Sequence, residues 1–202
     1  MIKLIFLSLI FLPTYSIAQI YDNGLLNTFK TVNGKFDIHS GWLWGSAVQK
    51  IYTIDTDDMN AYEVSFSGLE SQIIFDISFL PNGELYGISG TGNLVRLNLK
   101  TQSIQVVGDT GYMTINSLAT KSHFEFYAAT INGELLVINA NNASTQLKGN
   151  FGQNLISSGD LAVSSNGQLF GVAKDNCLGN CSPEYLVSIN PSSGQATIIG
   201  DT

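Results

Sequence analysis

Residues 76–111, DISFLPNGELYGISGTGNLVRLNLKTQSIQVVGDTG, carry the hydrophobic pattern that organises the chain. Apolar and polar positions alternate over 76–80 and then meet Pro81-Asn82-Gly83. Asn-Gly supplies the positive φ angles of a tight hairpin, so the chain is predicted to reverse there. Leu85-Tyr86-Gly87-Ile88 is the second predicted strand, and Gly90-Thr91-Gly92 the next reversal. Residues 94–98 alternate with period two, as a strand with one buried face does. Lys100-Thr101-Gln102 is a polar turn, 104–107 a fourth strand, and Gly108-Asp109-Thr110-Gly111 closes the unit. No comparable window shows the i, i+3, i+4, i+7 spacing of a helix.

A single four-strand meander cannot bury both of its faces, so it needs neighbours of its own kind. The chain supplies them. Leu43-Trp44-Gly45, Leu85-Tyr86-Gly87, Phe126-Tyr127-Ala128 and Leu169-Phe170-Gly171 recur at spacings of 42, 41 and 43 residues. Third strands align as Ile51 to Asp55, Leu94 to Asn98, Leu135 to Asn139 and Leu186 to Asn190. Each ends on Asp or Asn, whose side chain can fold back on the following backbone and start a turn. Unit ends align as Gly108-Asp109-Thr110, Gly149-Asn150-Phe151 and Gly200-Asp201-Thr202. Four strands per period of about 40–50 residues is the signature of propeller blades. The expectation is an all-β, propeller-like array of about four four-stranded blades, at 36–68, 69–111, 112–152 and 153–202. A β-sandwich with chance similarity is the competing fold.

The repeat Asp-Leu/Ile-Ala/Ser … Asn-Gly-x-Leu-Tyr-Gly … Leu-Val-x-Ile-Asn … Gly-Asp-Thr resembles those of secreted bacterial propellers related to the NHL and YVTN groups, over residues 37–202. The motif is specific for architecture and unspecific for function, because such propellers include binding scaffolds and several kinds of enzyme. The resemblance implies that each blade's first strand lines a central channel. It also implies that the inter-blade loops share one face with the loops joining strands two and three.

Residues 1–18 read as a signal peptide: Lys3, an apolar run over 4–12 too short to span a bilayer, and Ser16-Ile17-Ala18 before a cut at Gln19. Export is the consequence, to the periplasm, the cell surface or the medium, and no later stretch is apolar enough for a membrane span. The 202-residue chain has nine basic and sixteen acidic residues, a net charge of −7. Removing Lys3 makes residues 19–202 more acidic still, which disfavours nucleic acid and anionic membrane as partners. Residues 25–32 resemble a spare fourth strand. Four complete units and a fourth strand over 196–199 suit part of a larger ring better than a closed four-bladed one, so an open arc or truncated product is predicted.

Several residues carry candidate chemistry. Asp37, Asp76, Ser117 and Asp160 share one repeat position, at the mouth of the implied channel. Carboxylates there could hold a calcium ion through oxygen ligands, or each could accept hydrogen bonds from its own inter-blade turn. Trp42 and Trp44 lie two apart on one strand face, either as packing or as a stacking platform for a sugar ring. Asp55-Thr56-Asp57-Asp58 is a solvated turn or part of a calcium loop. His39 and His123 lie in different repeats and make neither a zinc motif nor a dyad. Cys177 and Cys181 fall in the enlarged loop of the last unit, where an exported chain is expected to form a local disulfide. Asn142-Ala143-Ser144 fits a glycosylation sequon. These features favour a non-catalytic exported scaffold binding a protein or glycan through loops on one face. The competing readings are a propeller hydrolase or lyase using carboxylates from different blades, and a truncated fragment without function. No other cofactor is indicated.

Overall fold

The computed structural model describes residues 43–47, 49–54, 60–177 and 183–201. They form antiparallel sheets of consecutive strands. The first holds β1 (Leu43–Ala47), β2 (Lys50–Ile54) and β3 (Ala61–Val64). The second holds β4 (Ile74–Phe79), β5 (Leu85–Ser89), β6 (Asn93–Asn98) and β7 (Ser103–Asp109). The third holds β8 (Ile115–Thr120), β9 (Glu125–Thr130), β10 (Glu134–Asn139) and β11 (Thr145–Asn150). The fourth holds β12 (Leu155–Val163), β13 (Leu169–Asp175), β14 (Glu184–Ile189) and β15 (Ala196–Asp201). A single 3-10 turn, Leu69–Ser71, is the only helical element among the described residues. The protein is an all-β, four-blade propeller array. The strand expected before β1, and with it Asp37 and Trp42, lies outside the described residues.

Local chemistry accounts for the turns. At the hairpin after β4, Gly83 has φ +83° and donates its N–H to Leu80 O (2.9 Å), while Glu84 N–H donates to Asn82 Oδ1 (3.0 Å). The Asn that ends each third strand folds back as its repeat position predicts. Asn98 Oδ1 accepts from the N–H groups of Lys100 and Thr101, at 3.0 and 2.9 Å. Asn139 Oδ1 accepts from Asn141 N–H (2.8 Å), and Asn190 Oδ1 from those of Ser192 and Ser193, at 2.9 and 3.2 Å. Such caps fix the hairpin's register through its own side chain.

Consecutive sheets stack face to face, with β4 beside β8 and β8 beside β12. Each junction encloses its own apolar cluster. Trp44, Ile51 and Val64 of the first sheet meet Leu85, Val95 and Leu97 of the second. Tyr86, Ile88 and Leu94 meet Phe126, Leu136 and Ile138 of the third. Tyr127, Ala129 and Leu135 meet Leu169, Val187 and Ile189 of the fourth. None of these clusters joins the fourth sheet to the first. One aromatic position leads every junction: Trp44 stands edge-on to Phe79 (centroids 5.5 Å apart), and Tyr86 is tilted against Phe126 (5.3 Å).

The outer strands are locked as well. β7, β11 and β15 each bulge against the third strand, at Leu94/Val95, Leu135/Leu136 and Leu186/Val187. At the bulge glycine the next sheet's last turn presses on the backbone. A Cβ on Gly149, whose φ is +151°, would lie 1.9 Å from Ser193 O, and one on Gly108 would lie 3.1 Å from Asn142 O. Gly200 holds the same repeat position and has nothing within 4 Å.

Candidate functional site

The register brings the start of β12 to the same end of the fourth sheet as the β13–β14 connection. Leu155 pairs with Asp175, and Lys174 pairs with Glu184. The second sheet repeats this, with Ile74 opposite Ser89. The starts of the first strands and the connections from second to third strands therefore share one end of the array. Binding groups on a rigid scaffold concentrate in such loops.

Asp76 is buried at that end, between β4 and β8. Its Oδ1 accepts from Ile77 N–H (2.8 Å), and its Oδ2 from Leu118 N–H (2.7 Å), 42 residues away. Burial holds its carboxyl well above the usual carboxylate range, and the nearby Asp160 carboxylate pushes it the same way. The two backbone donors pull in the opposite direction. With each oxygen engaged by a backbone amide, Asp76 ties two sheets together.

Asp160, at the same repeat position in the fourth sheet, is held differently. It has φ +53° and follows Gly159 at φ +120°. β12 is irregular here, its register against β13 shifting on both sides of Gly159. Aspartate is one of the few residues other than glycine that accept this left-handed conformation. Burial pushes the Asp160 carboxyl up to about 6 from an ordinary value of 3.8. Ser117, between the two in repeat order, is fully buried, and its hydroxyl has no hydrogen-bond partner among the described residues. Its neighbour Asn116 donates to Ser157 O (3.3 Å), leaving a buried Oδ1 also without a partner there. Asp76, Ser117 and Asp160 thus occupy corresponding places on adjacent first strands, and the acidic pair interacts. Asn116 and Ser157 join them from the strands themselves. Sequence pattern alone did not single them out, because a buried Asn or Ser differs in nothing from the exposed ones that fill the turns.

Around the β13–β14 connection, the Ser158 hydroxyl donates to the Glu184 carboxylate, and Tyr185 O–H donates to Asp175 Oδ2 (3.2 Å). Asn154 Nδ2 donates to Asn176 O (3.2 Å), pinning the base of the loop. No cysteine among the described residues is free. Cys181 lies outside them, as do His39 and Asp55-Thr56-Asp57-Asp58. His123 is exposed beside Phe124, with ring centroids 6.3 Å apart. Trp44 is enclosed at the junction of the first two sheets, its ring against Phe79 and away from solvent.

No family model matches the chain, and no curated protein matches it. Its likenesses are to solved structures. A structural genomics protein of unknown function from Bacteroides thetaiotaomicron aligns with TM-score 0.51 and 13% identity, over 81% of this chain and 42% of that one. The extracellular domain of a putative one-component system of the same species gives TM-score 0.49 and 15% identity, over 82% of this chain and 23% of that one. An oligogalacturonate lyase from Vibrio parahaemolyticus gives TM-score 0.47 and 13% identity, over 80% and 47%. The chain spans less than half the length of each. At these identities the likeness concerns the fold alone.

Calcium tests the donor set. Such an ion takes six to eight oxygens. Both oxygens of Asp76 already accept backbone amides, and no group of three or more His, Cys, Asp or Glu is placed to hold a metal among the described residues.

Proposed function

We propose that this protein is an exported, non-catalytic propeller scaffold, allied to the NHL- and YVTN-like propellers its repeats resemble. It binds a glycan or protein at the end of the array where Asp160 and the β13–β14 connection lie. One observation carries the reading: Asp160, also desolvated, lacks among the described residues the two backbone ties that hold its counterpart Asp76. It stands instead on a left-handed backbone beside an enlarged loop. A carboxylate there, with Ser158 on the same strand and Glu184 and Tyr185 on β14, offers oxygen acceptors and an aromatic ring of the kind that engage sugar hydroxyls. A Cys177–Cys181 bond would stiffen this loop, and the mass of the peptide under non-reducing conditions tests it. Export is supported by the signal-like segment at 1–18, and no helix among the described residues is long and apolar enough to cross a membrane.

A glycan array probed with the purified chain and with its Asp160→Asn and Tyr185→Ala variants tests the proposal. Binding by the parent that both variants weaken at least tenfold supports it. Glycan binding untouched by either variant would falsify this location.

A second reading has its own support. The carboxylates of Asp76 and Asp160 come from different blades and interact, with Asp160 titrating near 6. Both carboxyl groups hold a proton more tightly than an ordinary carboxylate, and a carboxyl kept protonated near neutral pH can serve as the acid in hydrolases and lyases. Incubation with acidic and neutral polysaccharides, followed by reducing-end and unsaturated-product assays, decides between the readings. Turnover lost in Asp160→Asn supports the enzyme.

A further inference from the structure

The free face of the fourth sheet repeats, position by position, faces that are buried elsewhere. Phe170 stands where Trp44, Tyr86 and Tyr127 stand, yet it is only half-buried, whereas those three are enclosed by the next sheet. Leu186 corresponds to Leu94 and Leu135; those are 0% exposed and Leu186 is 39% exposed. Ile199, in the place of the partly buried Val107, is 51% exposed. Of the outer-strand bulge glycines Gly108, Gly149 and Gly200, Gly200 alone has no turn pressed against it. Every mark of a blade junction is present here except the second blade.

The opposite end of the array carries the reciprocal surface. Leu43, Tyr52 and Ile54 of the first sheet hold the positions of Leu85, Val95 and Leu97, which are buried against a preceding sheet. In the first sheet all three are only half-buried. No apolar cluster among the described residues joins these two surfaces within one chain. Each chain therefore offers one face that receives a blade and one that fits into such a face. Their shapes are already matched, because three internal junctions are built from the same repeat.

We propose that the fourth-sheet face is an interface for a second copy of this chain, which seats its first sheet there. The arrangement is reciprocal. The fourth sheet of each copy covers the first sheet of the other, so both free faces of both copies are buried and the assembly closes at two, under two-fold symmetry. Phe170 plays the part of Tyr86 at the new junction.

Sedimentation velocity across a concentration series tests this. The parent chain is expected to run at the mass of two chains. Leu186→Arg and Tyr52→Glu, both on half-exposed or exposed positions, should each run at the mass of one. Circular dichroism and melting of each variant establish that it is folded. A mixture of Leu186→Arg with Tyr52→Glu pairs the two altered faces at one junction and leaves the other junction native, so it should regain the two-chain mass. Three outcomes would overturn the proposal. A parent of one-chain mass at every concentration points to closure within the chain or to another protein as occupant. A two-chain species unaffected by Leu186→Arg places the contact elsewhere. Masses that climb past two without limit show open head-to-tail growth instead of a closed pair.

Discussion

The second and fourth sheets are built from the same repeat and live in different surroundings. The second is covered on both faces. Leu85, Val95 and Leu97 pack against the first sheet, and Tyr86, Ile88 and Leu94 against the third. The fourth is covered on one. Leu169, Val187 and Ile189 are buried, while Leu186 and Ile199 are exposed. The aspartate at the channel position differs in the same direction. Asp76 is consumed in tying β4 to β8, whereas Asp160 keeps its carboxylate on a left-handed turn. A repeat position thus fixes where a residue stands, and the neighbour decides what it does there.

Four comparisons, made with six substitutions, break or sharpen that contrast, with stability read from denaturant unfolding of protein too dilute to self-associate. The largest effect is expected at the bulge glycines. Gly149→Ala should cost about 4 kcal/mol or prevent folding, since its Cβ would meet the Ser193 carbonyl on an unfavourable φ. Gly200→Ala should stay within about 0.5 kcal/mol of the parent. Next, Leu94→Ala should cost about 3 kcal/mol through a cavity, and Leu186→Ala less than about 1 kcal/mol. Asp76→Ala should cost about 2–3 kcal/mol, because two buried amides lose their acceptor. Equal costs for Leu94 and Leu186 in dilute protein would mean that the fourth face is already covered within the chain.

The fourth comparison is read by pH. The folded value for Asp160, about 6, lies above its ordinary 3.8, so the folded chain holds that proton more tightly than the unfolded one. The associated stability is fully present below the ordinary value and is lost as pH rises through about 6. Asp160→Asn should therefore raise stability by about 2 kcal/mol at pH 7.5 and leave it nearly unchanged at pH 3.5. A variant that destabilises equally at both pH values would show that the carboxylate serves a structural bond.

Much of this was legible in the sequence. The Asn-Gly hairpin at 82–83 and the turn-forming Asn98, Asn139 and Asn190 act through their own backbone neighbours, so local pattern was enough. Asp76 was legible through its repeat position, with acceptance of backbone hydrogen bonds weighed there against an ion. Two things were not legible. The divergence of Asp160 depends on the Gly159 bulge and on what stands opposite, neither of which leaves a mark in hydrophobic period. The Gly-Asp/Asn ending was read as punctuation, although recurrence of that glycine at 108, 149 and 200 was a signal for close approach by another backbone.

One property of the pairing has a kinetic consequence. Every sheet ladder joins strands consecutive in sequence, and the ties between sheets, such as Leu118 N–H to Asp76 or Ala196 N–H to Phe151 O (2.9 Å), reach back only about one repeat. No ladder waits for the two ends of the described chain to meet. Loop-closure entropy is therefore met in small instalments, and this all-β chain is expected to fold faster than a sandwich of equal length. It can also condense from its N-terminal side onward, each finished blade templating the next.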